Sequence, residues 1–220
     1  MEKWLRFAAR HKEFIGTSIV GIASVLLLGY FEENETIDPA LQTIIAAVGV
    51  FLVIPVAYCR IMLGRPLSAL GFHKGNVWAG VGGSVVALVV ALSALFVLWN
   101  FTPLLREYQL PVAVEEQFLF FVLYEVFLNG FIALLFEVFF RGFVMLLWFR
   151  KWGFWSVIVQ AVLFSALLYA SSGVTAATIP YFIFVPFAGL IAYQSRSIWY
   201  SYGASWFYFF LTDAIVLILR

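Results

Sequence analysis

The sequence predicts an all-α integral membrane protein. It is expected to be a helical bundle of about seven transmembrane spans, with the N-terminus cytoplasmic and the C-terminus outside. Three observations lead there. Of the 220 residues, 64% are apolar and 11% are charged, against about 25% charged in a typical soluble domain. Apolar runs long enough to cross a hydrocarbon core of about 30 Å recur along the chain. The charges between those runs alternate in sign from one side to the other.

The spans run over about 14–31, 40–63, 77–102, 118–149, 154–171, 174–195 and 197–219. Lys3, Arg6, Arg10 and Lys12 precede the first span. Arg60, Arg65 and Lys74 follow the second, Arg150 and Lys151 the fourth, and Arg196 the sixth. All fall on one side. The other side holds Arg106 and Arg220 among the acids Glu32, Glu33, Glu35, Asp38, Glu107, Glu115 and Glu116. The excess of Lys and Arg marks the cytoplasmic side, and a miscounted span would scramble the alternation.

Each element has its own cue. Residues 1–13 carry no cleavage-site pattern and read as a basic amphipathic flank lying on an anionic leaflet, or as a plain basic flank. In the third span, Gly80 and Ser84, then Gly83, Ala87 and Ala91, follow small-xxx-small spacing, which suits close helix packing. The fourth span is too long, because 32 residues at 1.5 Å each give about 48 Å. It also repeats itself: Glu125-Val126-Phe127-Leu128-Asn129-Gly130-Phe131 is similar to Glu137-Val138-Phe139-Phe140-Arg141-Gly142-Phe143. The aromatic residues crowding the last two spans, such as Tyr193, Trp199 and Trp206, suit interfacial anchors. The whole chain, 1–220, reads as one transmembrane domain. The single Cys59 excludes an intramolecular disulfide and a cysteine metal cluster. No Lys/Arg run supports a nucleic-acid partner.

The chemistry concentrates in a few charges at membrane depth: Glu125, Glu137 and Asp213, with one base, Arg141. Such residues cost roughly 2.5–3.5 kcal/mol each on insertion scales, so they need a partner or a function. Glu137 and Arg141 stand at i,i+4 with the acid first, the favourable order for a helical ion pair. Rise per residue puts Glu137 and Phe209 about 18 Å from the cytoplasmic ends of their spans, Leu168 about 21 Å and Ser205 about 12 Å.

These residues fall into motifs. Phe136-Glu137-Val138-Phe139-Phe140-Arg141-Gly142-Phe143 resembles the Glu-Glu-x-x-x-Arg motif, with its Gly-aromatic tail, of the CPBP family of CAAX-processing and related intramembrane endopeptidases. Phe136 stands where the first Glu belongs. Phe164-Ser165-Ala166-Leu167-Leu168 resembles the family's Phe-x-x-x-His with Leu168 in place of His. After Gly189 and Ser197-Ile198-Trp199, the family's His-x-x-x-Asn falls on Ser205 and Phe209. Leu67 to Phe72 is similar to the family's linker. The resemblance covers about 65–210. It implies a multi-span helical fold and proteolysis of membrane-embedded or prenylated substrates. In that chemistry a Glu and a His activate water and a second His and an Asn stabilise the oxyanion, or a metal takes part.

The departures point away from that chemistry. The only histidines, His11 and His73, lie in the N-terminal flank and in a loop. Leu168 and Phe209 neither bind metal nor donate a hydrogen bond. The expectation is a catalytically inactive relative, without a cofactor or metal, in which Phe136, Glu137, Arg141, Leu168, Ser205 and Phe209 are vestigial motif positions. It would bind lipid and a hydrophobic or lipid-modified peptide or a membrane-protein partner, in the inner membrane of a prokaryote. Three alternatives stand beside it. An active endopeptidase would pair Glu137 with Asp213 or use Ser205 as nucleophile. A structural subunit would need only the aromatic surface. An ion or proton carrier would use Glu125, Glu137 and Asp213.

Overall fold

In the computed structural model, which describes residues 2–29 and 39–219, the chain is helical with no strand among the described residues. An apolar chain in lipid must satisfy its own backbone donors and acceptors, and helices do so within one segment. The long helices are α1 (Glu2–Gly29), α2 (Leu41–Met62), α3 (Val77–Phe101), α4 (Phe118–Trp148), α5 (Trp155–Ser172), α6 (Ile179–Ser195) and α7 (Ile198–Leu219).

Among the described residues, five of these, α2, α3, α4, α5 and α7, are long and apolar enough to cross a membrane. The 17 residues of α6 extend about 26 Å, just short of a core of about 30 Å. The flank at 1–13 is not a separate piece, because α1 runs unbroken from Glu2. The side chains of Lys3, Arg6 and Arg10, with Glu32, Glu33, Glu35 and Asp38, lie outside the described residues, so the amphipathic flank and the acidic first loop do too.

The overlong span is one helix of 31 residues. It widens to i→i+5 winding over Tyr124–Asn129 and again over Glu137–Trp148. Such winding is rare and concentrates at functional sites. Each copy of the Glu-Val-Phe repeat starts at or one residue into a widened stretch. Both acids, Glu125 and Glu137, are buried there.

Close backbone approaches lock the end of the bundle that carries Arg65, Arg150 and Arg196. The linker forms a tight turn over Leu67–Leu70 and ends on Gly71 at φ +85°, a left-handed conformation that favours glycine. The Gly71 carbonyl accepts from the N–H of Ile198 at 3.2 Å, and the Ser195 carbonyl from Asn76 at 2.8 Å. A Cβ at Gly142 would lie 2.7 Å from the Leu70 carbonyl oxygen. The glycine in the tail of the Glu137 motif thus admits the linker against α4. On α3, Gly80, Ala87 and Ala91 are buried, as small-xxx-small spacing predicts, and α3 packs on α6 and α7.

Candidate functional site

Helices α4 and α7 run antiparallel in contact, and α7 turns a polar stripe towards α4. Ser201, Ser205, Phe209 and Asp213 recur every fourth residue along α7, one face of a helix. The stripe meets the two acids of α4 at two levels.

The first level is Glu137. Ser201 Oγ donates to its Oε2 at 2.5 Å and Ser205 Oγ to its Oε1 at 2.9 Å. Arg141 Nε lies 3.5 Å from Oε1 and makes no hydrogen bond there, so this contact is electrostatic. All four side chains are buried. The arginine rests on Phe164, with Cζ 5.4 Å from the ring centroid, a cation–π geometry. Phe164 packs edge-to-face on Phe136 and Phe140 at centroid distances of 5.2 and 4.9 Å.

The free space beside the carboxylate is about 20 Å3, bounded by Phe136, Phe164, Tyr181, Phe184, Phe209 and Ser205 among others. A single water needs about 10–15 Å3 of such space, so the chamber has room for one small molecule and no peptide. Tyr181 and Phe209 stack at 4.1 Å and help to close it.

The structure therefore brings Phe136, Glu137, Arg141, Ser205 and Phe209 together around one chamber, as their motif positions predict. Leu168 does not join them. It lines a larger apolar groove of about 760 Å3, with Phe51, Leu135, Phe140, Leu167 and residues of α1 and α2. Phe136 and Phe164 border both spaces and stand between them. Ser201 is the functional residue that motif reading misses. Its signal was the i,i+4 spacing from Ser205, which puts both hydroxyls on one face.

The second level is Glu125. Asn129 Nδ2 donates to Glu125 Oε1 at 3.0 Å and lies 3.5 Å from Asp213 Oδ2. Tyr108, from the loop after α3, donates to Asp213 Oδ1 at 2.5 Å. Trp206 Nε1 donates to the Glu125 backbone carbonyl at 2.8 Å. Glu125 Oε2 is buried without a hydrogen-bond donor. Burial, reinforced by the Asp213 carboxylate, pushes the Tyr108 phenol well above its ordinary range, so it stays a hydroxyl donor. Asp213 thus belongs with Glu125 and Asn129, and the Glu137 carboxylate takes its partners from Ser201, Ser205 and Arg141 instead.

A metal does not fit the Glu137 chamber. Its donor set is one carboxylate whose two oxygens already accept from serines, and hydrolytic metals want three His, Cys or carboxylate ligands. Among the described residues no group of three or more such side chains converges.

Fold and site define a helical membrane protein with a buried Glu–Arg pair at its centre. The family model for type II CAAX prenyl endopeptidase Rce1-like proteins matches residues 115–211. That stretch, which holds α4 to most of α7, is similar to this family. Neither the curated proteins nor the solved structures yield a match.

Proposed function

We propose that this protein is a CPBP-type membrane protein without hydrolytic activity, which binds a hydrophobic or lipid-modified peptide or a membrane partner. One observation carries the reading: both oxygens of Glu137 are committed to Ser201 and Ser205, inside a chamber with space for one water. A general base must reach a water and a substrate carbonyl together. Besides the acid, the titratable groups lining the chamber are Arg141 and Tyr181; an arginine remains protonated, and a phenol is ordinarily protonated at neutral pH, so neither is a base. Loss of one oxyanion donor alone costs about 2.7–4 kcal/mol in the transition state. Phe209 and Leu168 stand where the family's Asn and one of its histidines belong.

The apolar groove beyond Phe136 and Phe164 supports the binding half of the reading. Its volume lies in the range of ligand sites, and its lining is almost wholly aliphatic and aromatic. The arrangement in the membrane is seven spans over residues 1–220 as a single domain, N-terminus inside, in a prokaryotic inner membrane. It rests on the charge alternation and on the loops of Arg65, Arg150 and Arg196 meeting at one end.

The test is cleavage of a prenylated or membrane-embedded peptide by the purified chain. No product is expected. Product formation that disappears in Glu137→Ala overturns the proposal. Cysteine accessibility from each side of sealed vesicles, with single cysteines at Lys151 and Glu115, checks the arrangement. Labelling of both from one side sinks it.

A further inference from the structure

A second cavity lies at the linker end of the bundle, of about 740 Å3. Three separate segments build it: the linker after α2 supplies Arg65, Ser68 and His73, the end of α4 supplies Leu146 and Arg150, and the α6–α7 turn supplies Arg196. Among the described residues, every charged side chain in its lining is an arginine and no acid lines it. Arg65 is drawn aside by Glu13, 2.7 Å away. Arg150 and Arg196 are exposed and turned to the cavity.

Arg196 is held in an unusual way. It is the one non-glycine residue at positive φ among the described residues, at 60°. That position after a helix normally favours glycine or asparagine. Its guanidinium sits over Tyr193, 5.0 Å from the ring centroid, which fixes the planar fork. A strained backbone that presents a stacked arginine to a cavity is unusual for a residue that only caps a helix. Arginine forks bind phosphate oxygens in pairs. Basic pockets between membrane helices on the Lys/Arg-rich side take anionic headgroups.

We propose that this cavity binds a phosphate-bearing anion, the headgroup of an anionic phospholipid, between Arg150 and Arg196. The cavity is far larger than a free phosphate needs, and Leu146, Pro66 and Ala69 add an apolar floor to the basic rim. That floor suits the start of the acyl chains of a phospholipid, and an inorganic ion has no use for it. The site is independent of whether the Glu137 chamber hydrolyses anything.

The experiment is native mass spectrometry of the full chain in detergent, titrated with phosphatidylglycerol and with phosphatidylcholine. Phosphatidylglycerol is expected to bind more tightly. The double variant R150Q/R196Q is expected to weaken it about fivefold per arginine, about 25-fold together. The control K74Q/K151Q removes as much charge from the same end outside the cavity lining, and is expected to leave the affinity nearly unchanged. Equal binding of the two lipids, or an equal loss in the lysine control, overturns the proposal. Inorganic phosphate separates the sources: weak competition at millimolar concentration assigns the lipid, and strong competition at micromolar concentration assigns the free ion to the same arginines. If the glutamine pair lowers the melting temperature, R150K/R196K takes its place. Loss of bidentate pairing should then cost about twofold or more, and an unchanged affinity counts against the site.

Discussion

Two buried acidic sites lie along one helix pair, and they solve the cost of a carboxylate in different ways. Glu137 has a base one turn away and two hydroxyl donors. Glu125 shares its level with a second acid, Asp213, and the named donors there are Asn129, Tyr108 and Trp206, all neutral. The two acids of α4 are twelve positions apart in the two copies of one repeat. Part of the difference is local, because the residue one turn on is Asn129 in one copy and Arg141 in the other. The rest comes from α7, which offers serines at one level and an aspartate at the other. The comparison teaches that the repeat supplies the acid, while its i+4 neighbour and the facing helix decide what the acid pairs with.

The sharpest way to break this comparison is Arg141→Ala. It leaves Glu137 buried without its counter-charge, and removal of one partner from a buried pair costs about 3–5 kcal/mol. Loss of the folded monomer on size exclusion, or a large fall in melting temperature, is expected. Replacing both members, as Glu137→Gln with Arg141→Met, should restore most of it. An unaltered melting temperature in Arg141→Ala would show that the pair carries no structural weight.

Next in size is Ser201→Ala. Hydrogen bonds to charged groups contribute about 1.5–3 kcal/mol, and this one is the shorter of the two on Glu137. A loss in that range is expected in detergent unfolding. Equal stability would mean that Ser205 alone satisfies the acid.

Gly142→Ala follows. Its Cβ would meet the Leu70 carbonyl at 2.7 Å, and overpacking of this kind costs about 1–3 kcal/mol. A destabilised variant ties the motif glycine to the linker, and a neutral one unties it. The smallest effect is expected for Asp213→Asn. An amide still accepts from Tyr108 and has roughly the same size, so the change should stay within about 1 kcal/mol. Melting temperatures of Asp213→Asn and Glu137→Gln side by side measure the contrast directly. If the second-level variant is the more damaging, the distinction between the levels fails.

Much of the chain is legible in its sequence. Composition and run length gave the helical membrane class, because lipid leaves the backbone few other options. The motif Glu137 to Phe143 and the positions of Ser205 and Phe209 could be placed by spacing, and the chamber assembles them. The repeat at Glu125 and Glu137 was visible too. Its meaning was not, since a local pattern does not show that both copies start in i→i+5 winding. Leu168 lines the groove and not the chamber, a distinction the sequence does not carry because rise per residue sets depth but not azimuth.

By itself, then, the sequence determined the helical membrane class and the acid and base of the central pair. Those properties are carried by residue identity and short-range periodicity. Only the tertiary structure decided that Ser201 and Ser205 close over Glu137, that Asp213 joins Glu125, and that Phe136 and Phe164 divide the chamber from the groove. It also decided that arginines from three distant loops share one cavity. These are contacts between segments tens of residues apart. Their registers depend on how helices rotate and slide against one another, and no local pattern encodes that.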